Sequence, residues 1–175
     1  MARSTWFAGL AAWAMAGAAA AGAPPPASAV PASLYSGRWY DIAHTPNSRQ
    51  RNCQAPTNDF TGSDGAALAL VQTCHKGSPG GPVQMFRAKA RIVAGSGAAR
   101  FRVAFLGGLV SQEYWILDYA GDGGWAIMAT PGGHYVWLLS RAPVLDPAAR
   151  ARALSRIAAL GYGAAHLAFP RQQSR

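Results

Sequence analysis

A chain of 175 residues with 20 glycines and six tryptophans is long enough for one domain with a sizeable core. Sixteen lysines and arginines against seven acidic residues leave a net charge of +9, which suits anionic lipid, polysaccharide or nucleic acid, or simply a solvated basic exterior. No recognition helix or RNA-binding motif accompanies that charge, so nucleic acid is set aside, and seven carboxylates leave little for paired acid–base catalysis.

Met1-Ala2-Arg3 is followed by an uncharged, alanine-rich run from Trp6 to Ala23. A basic start, an apolar middle and small residues at Gly22-Ala23 or Ala27-Ser28-Ala29 predict a secretory signal peptide over 1–29. A Pro/Ala-rich linker is expected over 30–33 and the folded domain over 34–170. No cysteine lies near this boundary, so the expected product is exported, periplasmic or secreted, without a lipid anchor.

The first strand runs from Gly37 to about His44, with Trp39 on its interior face and Gly37 allowing close approach. A polar loop over 45–52 leads to strands at Gln54–Thr61 and Ala67–Cys74, joined at Gly62-Ser63-Asp64-Gly65. A turn centred between Ser63 and Asp64 sets Cys53 opposite Cys74, and an even pair in an oxidising compartment reads as one disulfide. A breaker-rich loop follows over 76–82. Then Phe86, Ala88, Ala90 and Ile92 alternate with Arg87, Lys89 and Arg91, and Phe101, Val103 and Phe105 alternate with Arg100 and Arg102. Period-two alternation gives a sheet with one wet face and one dry face.

Further strands are expected at Glu113–Tyr119, Trp125–Ala129 and His134–Ser140. Eight sequential antiparallel strands with short turns can close into an up-and-down β-barrel, which removes both exposed edges. Asp146 as N-cap and Pro147 at the first helical position open one α-helix, stopped by Gly161. Its apolar stripe, Ala149, Ala153, Leu154, Ile157 and Leu160, packs it on the outside of the barrel. A short strand is expected at 167–169, and a loose tail over 171–175.

Neither a phosphate-cradling loop nor a nucleophile elbow nor an H-E-x-x-H pair occurs. His44, His75, His134 and His166 are scattered, too few and too dispersed to specify a metal, and no cofactor is implied. Asp41 shares Trp39's interior face and is the one candidate base or polar ligand contact. The aromatics make the better case. A tight turn at Pro131-Gly132 brings Ala126 opposite Trp137 and Met128 opposite Tyr135. With small Ala88, Ala90 and Ala126 facing inward, the barrel is expected to leave an apolar interior unfilled.

Gly37-Arg38-Trp39-Tyr40 resembles the G-x-W motif that opens the first strand of lipocalins. Pro46-Asn47 with Gln50-Arg51 and Cys53 resembles the loop of the bacterial outer-membrane branch of that family, which is similar to apolipoprotein D. Trp137-Leu138-Leu139-Ser140-Arg141 with Pro143 resembles the motif ending the last strand. The family's T-D-Y motif is imperfect here: Asp122 takes the aspartate position, with Gly123 where tyrosine stands.

The resemblance implies a non-enzymatic carrier of fatty acids, lysophospholipids or similar lipids, with Arg141 stacked on Trp39 at the closed end. By strand parity and similarity to the family's calyx, the expected lining is Phe86 on the fourth strand, Val103 and Phe105 on the fifth, and Tyr114 and Ile116 on the sixth. Met128 on the seventh and Tyr135 and Trp137 on the eighth complete it, with Tyr114, Tyr135 or Asp41 conferring selectivity. Two other functions are open to the same chain. One is a lipocalin-fold enzyme using Asp41 as base; the other is docking on anionic membranes through Arg87, Lys89, Arg91, Arg100 and Arg102.

Overall fold

A computed structural model describes residues 22–62 and 67–173. Eight antiparallel strands close into a barrel in which each pairs with its chain neighbours and β1 with β8. They are β1 (Gly37–His44), β2 (Cys53–Thr61), β3 (Ala67–Lys76), β4 (Val83–Ile92), β5 (Arg100–Phe105), β6 (Val110–Tyr119), β7 (Trp125–Ala129) and β8 (Val136–Ser140). One helix, α1 (Pro147–Ala159), follows. The alternation in β4 and β5 produces the expected two faces: Ala90, Phe101, Val103 and Phe105 are buried, while Arg87, Lys89, Arg91 and Arg102 are exposed.

Up-and-down connectivity gives the barrel two unlike ends. The connections after β2, β4 and β6 gather at one end, with the chain's entry to β1 and its exit from β8. That end is closed. Tyr35, Phe60 and Phe101 meet edge to face there, with ring centroids 5.4 to 6.1 Å apart. Trp39, 1% exposed, donates its indole N–H to the Leu34 carbonyl at 2.7 Å. The Arg141 guanidinium lies 3.8 Å from the Trp39 ring centroid and donates to the carbonyls of Ser33, Ser36 and Arg38 at 2.6 to 3.0 Å. Gly37 is needed for its φ of +66°; a side chain there would meet Arg141 only at ordinary contact distance. Asp122 accepts from the Gly124 N–H at 2.8 Å, which folds the β6–β7 turn in place of the tyrosine-bearing motif.

The helix seals a second core on the barrel's outer surface. The Asp146 carboxylate accepts from the N–H groups of Ala148 and Ala149, and Gly161 ends the helix at φ +89°. Ala149, Ala153 and Ile157 are buried. Ala153 and Ile157 pack with Leu117, Ile127 and Leu138, outward-facing residues of β6, β7 and β8.

Several expectations need correction. Cys53 and Cys74 form the disulfide, with Cα atoms 5.4 Å apart, but they do not face each other: Cys53 is opposite Lys76. Thr61 faces Ala69 rather than residue 66, and a bulge at Ala55-Pro56, between Gln54 and Thr57, shifts the rest; the turn expected at Ser63-Asp64 itself lies outside the described residues. The bridge is therefore diagonal. On β8 the strand begins at Val136 rather than His134, because residues 130–135 form a wider loop closed by Thr130 N–H to Tyr135 O. Met128 thus faces Trp137, and Ala126 faces Leu139, a two-residue shift that keeps each side chain on its face.

The signal peptide expected over 1–29 lies mostly outside the described residues. Residues 22–29 run along the barrel, the Ala27 N–H donating to the Ile116 carbonyl. Val30, expected in a linker, is buried and donates to Gly97 O. At the other terminus, Ala168 bridges His44, and Arg171–Gln173 are held rather than loose. Ala55 N–H donates to Arg171 O, and Gln172 and Gln173 donate to the carbonyls of Asp41 and Pro79.

Replacing Arg141 with alanine removes a partly desolvated cation–π contact and three clamping hydrogen bonds. A loss of about 2 kcal/mol or more is expected, read as a lower urea midpoint at unchanged m-value, whereas an unchanged midpoint would show that the stack does not hold the barrel closed.

Candidate functional site

The opposite end of the barrel is not filled. A cavity of about 630 Å³ opens there, within the range of about 300–1,000 Å³ that suits a small-molecule ligand. Its base is the upper side of the closed-end core, formed by Phe60, Leu70, Phe101 and Leu139. Higher up, Val103, Tyr114, Met128 and Trp137 form one wall. Phe86 and Phe105 stack with centroids 5.4 Å apart near the mouth, and Phe101 stacks on Tyr114 at 5.4 Å.

The facing wall is polar. Thr57, Asn58, Gln72 and Thr73 come from the β2–β3 hairpin, together with the Cys53–Cys74 bridge. The Gln72 amide donates to Asn58 Oδ1 at 2.7 Å, so these groups satisfy each other as they line the space.

A second polar network crosses the cavity wall near β1. β1 carries a bulge between Asp41 and Ala43 against β8. Without it, residues three apart would face opposite sides; with it, Asp41 and His44 share the interior face. Asp41 is fully buried. Its oxygens lie 2.9 and 3.1 Å from His44 Nδ1, which places the imidazole hydrogen on that nitrogen. Gln50 Nε2 donates to Asp41 Oδ2 at 2.6 Å, and the Trp137 indole N–H donates to Gln50 Oε1 at 3.0 Å. Asn47 donates to the same Gln50 oxygen and accepts from the Gln50 N–H, pinning the loop after β1 over the wall.

Among the expected lining residues, Asp41, Phe86, Val103, Phe105, Tyr114, Met128 and Trp137 border this one cavity. Ile116 does not: it is packed into the core towards the closed end. Nor does Tyr135, which precedes β8, is exposed, and leans on the Trp137 ring at 6.1 Å. Ala90 and Ala126 are buried in the core rather than bordering the opening, so they are not what leaves the space. Phe101 and Leu139 were reachable by parity from Val103 and Trp137. Asn47, Arg49 and Gln50 carried no periodic signal, because they sit on a loop and the turn Ser48–Gln50.

Burial raises the Tyr114 phenol above its ordinary value, an effect partly countered by the Arg49 guanidinium nearby. The hydroxyl therefore stays a neutral donor at physiological pH. Asp41 is occupied by His44 and Gln50, and no group of three or more His, Cys, Asp or Glu side chains stands together among the described residues. The arrangement can enclose an apolar body and hydrogen-bond one end of it.

A family model described as a lipocalin-like domain matches residues 30–172. The chain belongs to the lipocalin family. The solved structures it resembles include insecticyanin from the tobacco hornworm Manduca sexta, at a TM-score of 0.70 and 15% identity, covering 86% of this chain and 85% of that one. Lobster apocrustacyanin A1 superposes with a TM-score of 0.63 and 15% identity over 81% and 79% of the two chains. The siderocalin Ex-FABP, described as functioning through dual ligand specificities, gives 0.58 at 16% identity over 81% of this chain and 96% of its own. At such identities the likeness is one of fold. Comparison with curated protein sequences returns no match. Lipocalins typically bind small hydrophobic ligands, and this lipocalin has the open calyx that such binding requires.

Substituting Asp41 by alanine leaves the His44 and Gln50 donors without their buried acceptor. A loss of about 1–3 kcal/mol is expected, with Asp41→Asn losing less, in thermal unfolding monitored by near-ultraviolet circular dichroism. Unchanged stability in both variants would mean that the carboxylate's hydrogen bonds contribute nothing.

Proposed function

We propose that this lipocalin is a non-enzymatic carrier of single-chain lipids, fatty acids or lysophospholipids, belonging to the bacterial, apolipoprotein D-like branch and acting in the cell envelope. The observation that carries the reading is the cavity itself: about 630 Å³, closed by aromatic rings at its base and open to solvent at one end. Each methylene buried there contributes about 0.8 kcal/mol, so an acyl chain needs no special chemistry to be held. The polar wall and the Tyr114 hydroxyl offer hydrogen bonds to one end of a ligand without filling the space. The branch assignment rests on Asn47, Gln50 and Cys53, motif residues that here pin the loop, bond Trp137 and staple β2 to β3. The disulfide is consistent with export to an oxidising compartment. Carriage is favoured over catalysis because Asp41, the one interior carboxylate among the described residues, is committed to holding His44 and Gln50.

Trp137 borders the cavity and reports on it. Titrating the purified protein with a long-chain fatty acid is expected to quench tryptophan fluorescence saturably near one equivalent. An unsaturable or absent response to fatty acids and lysophospholipids alike would overturn the carrier reading.

A specific observation favours a second, compatible activity at the barrel's outer surface. Arg91 faces Arg102 directly across the β4–β5 pair, and like charges so placed destabilise a sheet. Glu113 pairs with Arg102 at 2.9 Å and with Arg100 at 3.7 Å. Its carboxyl is held below the ordinary range by the Trp115 indole N–H first and then by these guanidinium groups. Arg87, Lys89 and Arg91 make no ion pair among the described residues. Docking of this stripe on anionic membranes is expected to appear as vesicle binding that weakens from 50 to 300 mM salt; binding that is absent or indifferent to salt would remove it.

A further inference from the structure

Among the described residues Arg49 is the one cation bordering the cavity, on the turn Ser48–Gln50 at its mouth. Its guanidinium carbon lies 5.0 Å from the centroid of the Phe105 ring, which holds it against the apolar rim. No ion pair engages it among the described residues. The carboxylate at the same cavity, Asp41, is fully buried and already bonded to His44 and Gln50.

The uncharged polar groups beside Arg49 are largely spoken for. Gln50 spans Asp41 and Trp137, and Asn47 bonds the Thr45 carbonyl and Gln50. A neutral polar head would find single hydrogen bonds there, such as one from the Tyr114 hydroxyl, and nothing that answers a charge. An anion would find a guanidinium with five N–H donors, already ordered by its aromatic support and backed by an apolar surface.

The surrounding charge agrees. Arg51 follows on the same loop, and the Lys76 ammonium donates to the Arg51 carbonyl at 3.3 Å. Every described carboxylate other than Asp41 lies elsewhere. Asp59 pairs with Arg38 at the closed end of β2, Asp118 with Arg156 of the helix, and Glu113 with Arg100 and Arg102 on the outer face. Asp122 and Asp146 are bound into a closed-end turn and the helix cap. Among the described residues the mouth is thus positive with no free carboxylate beside it, which both draws anions in and orients them head outward.

We propose that the cavity takes a single-chain amphiphile with an anionic head, a carboxylate or a phosphate monoester, seated with that head on Arg49 and its chain running past Phe105 and Val103 towards Phe101. The assignment rests on the carrier reading above and adds to it the charge and the direction of the ligand.

The test compares palmitate, hexadecanol and hexadecyl phosphate, which share one chain, by Trp137 quenching below their micelle concentrations. At least one anion is expected to bind tenfold or more tighter than hexadecanol; the tighter of the two identifies the head. Arg49→Gln is expected to erase that preference, so that the anions and hexadecanol bind alike, Arg49→Lys to retain part of it, and Arg51→Gln to retain it. Equal binding of all three chains, a preference that survives Arg49→Gln, or an equal loss in Arg51→Gln overturns the assignment while leaving a carrier. Failure of all three to bind overturns the carrier reading instead.

Discussion

The Arg141 guanidinium lying on the Trp39 indole is the contact on which the rest of this molecule depends. It joins the end of the last strand to the start of the first, and its three hydrogen bonds to the carbonyls of Ser33, Ser36 and Arg38 fix the chain where it enters the barrel. A barrel needs such a device. Closing eight strands satisfies every edge only if β1 pairs with β8 as well as with β2, and those two strands are the furthest apart in sequence. The burial that accompanies the stack lowers the Arg141 pKa without threatening its charge, so the clamp holds at any physiological pH.

A filled closed end forces the unfilled volume to the other. The rings of Tyr35, Phe60 and Phe101 occupy the lower barrel, and the cavity begins where they stop. Near its mouth the walls depart from regular strand geometry at two places, both functional in consequence. The bulge in β1 turns His44 inward beside Asp41, and the bulge at Ala55-Pro56 in β2 offers the Ala55 N–H to the C-terminal segment at Arg171. Irregularity here converts free backbone groups and an otherwise outward histidine into the supports of a polar wall.

Charge is distributed with the same asymmetry. The few described carboxylates are committed to ion pairs, a turn, a helix cap or the Asp41 network. Among the described residues, Arg87, Lys89 and Arg91 on the outer face of β4 and Arg49 at the mouth have no such carboxylate partner. An apolar interior under a positive opening combines non-directional affinity for a chain with directional attraction for its end.

Much of this was determined by the sequence alone. Period-two alternation in β4 and β5, turn residues between strands, and Asp146-Pro147 with Gly161 specify eight strands and one capped helix, because those patterns act locally. Trp39 and Arg141 were legible as a pair through motifs at the two ends of the domain, and Cys53 with Cys74 through their number. Parity found most of the cavity wall, since it reports which face a side chain takes. It says nothing of how deep on that face the side chain lies, which is why Ile116 went to the packed core. Only the tertiary structure decided the registers, because a two-residue slip preserves every face and is invisible to pattern: hence the diagonal disulfide and Met128 facing Trp137. Only the tertiary structure brought Arg49, Gln50 and Asn47 over the mouth, since a loop has no period to read and its place is set by the hydrogen bonds it finds once the barrel has closed.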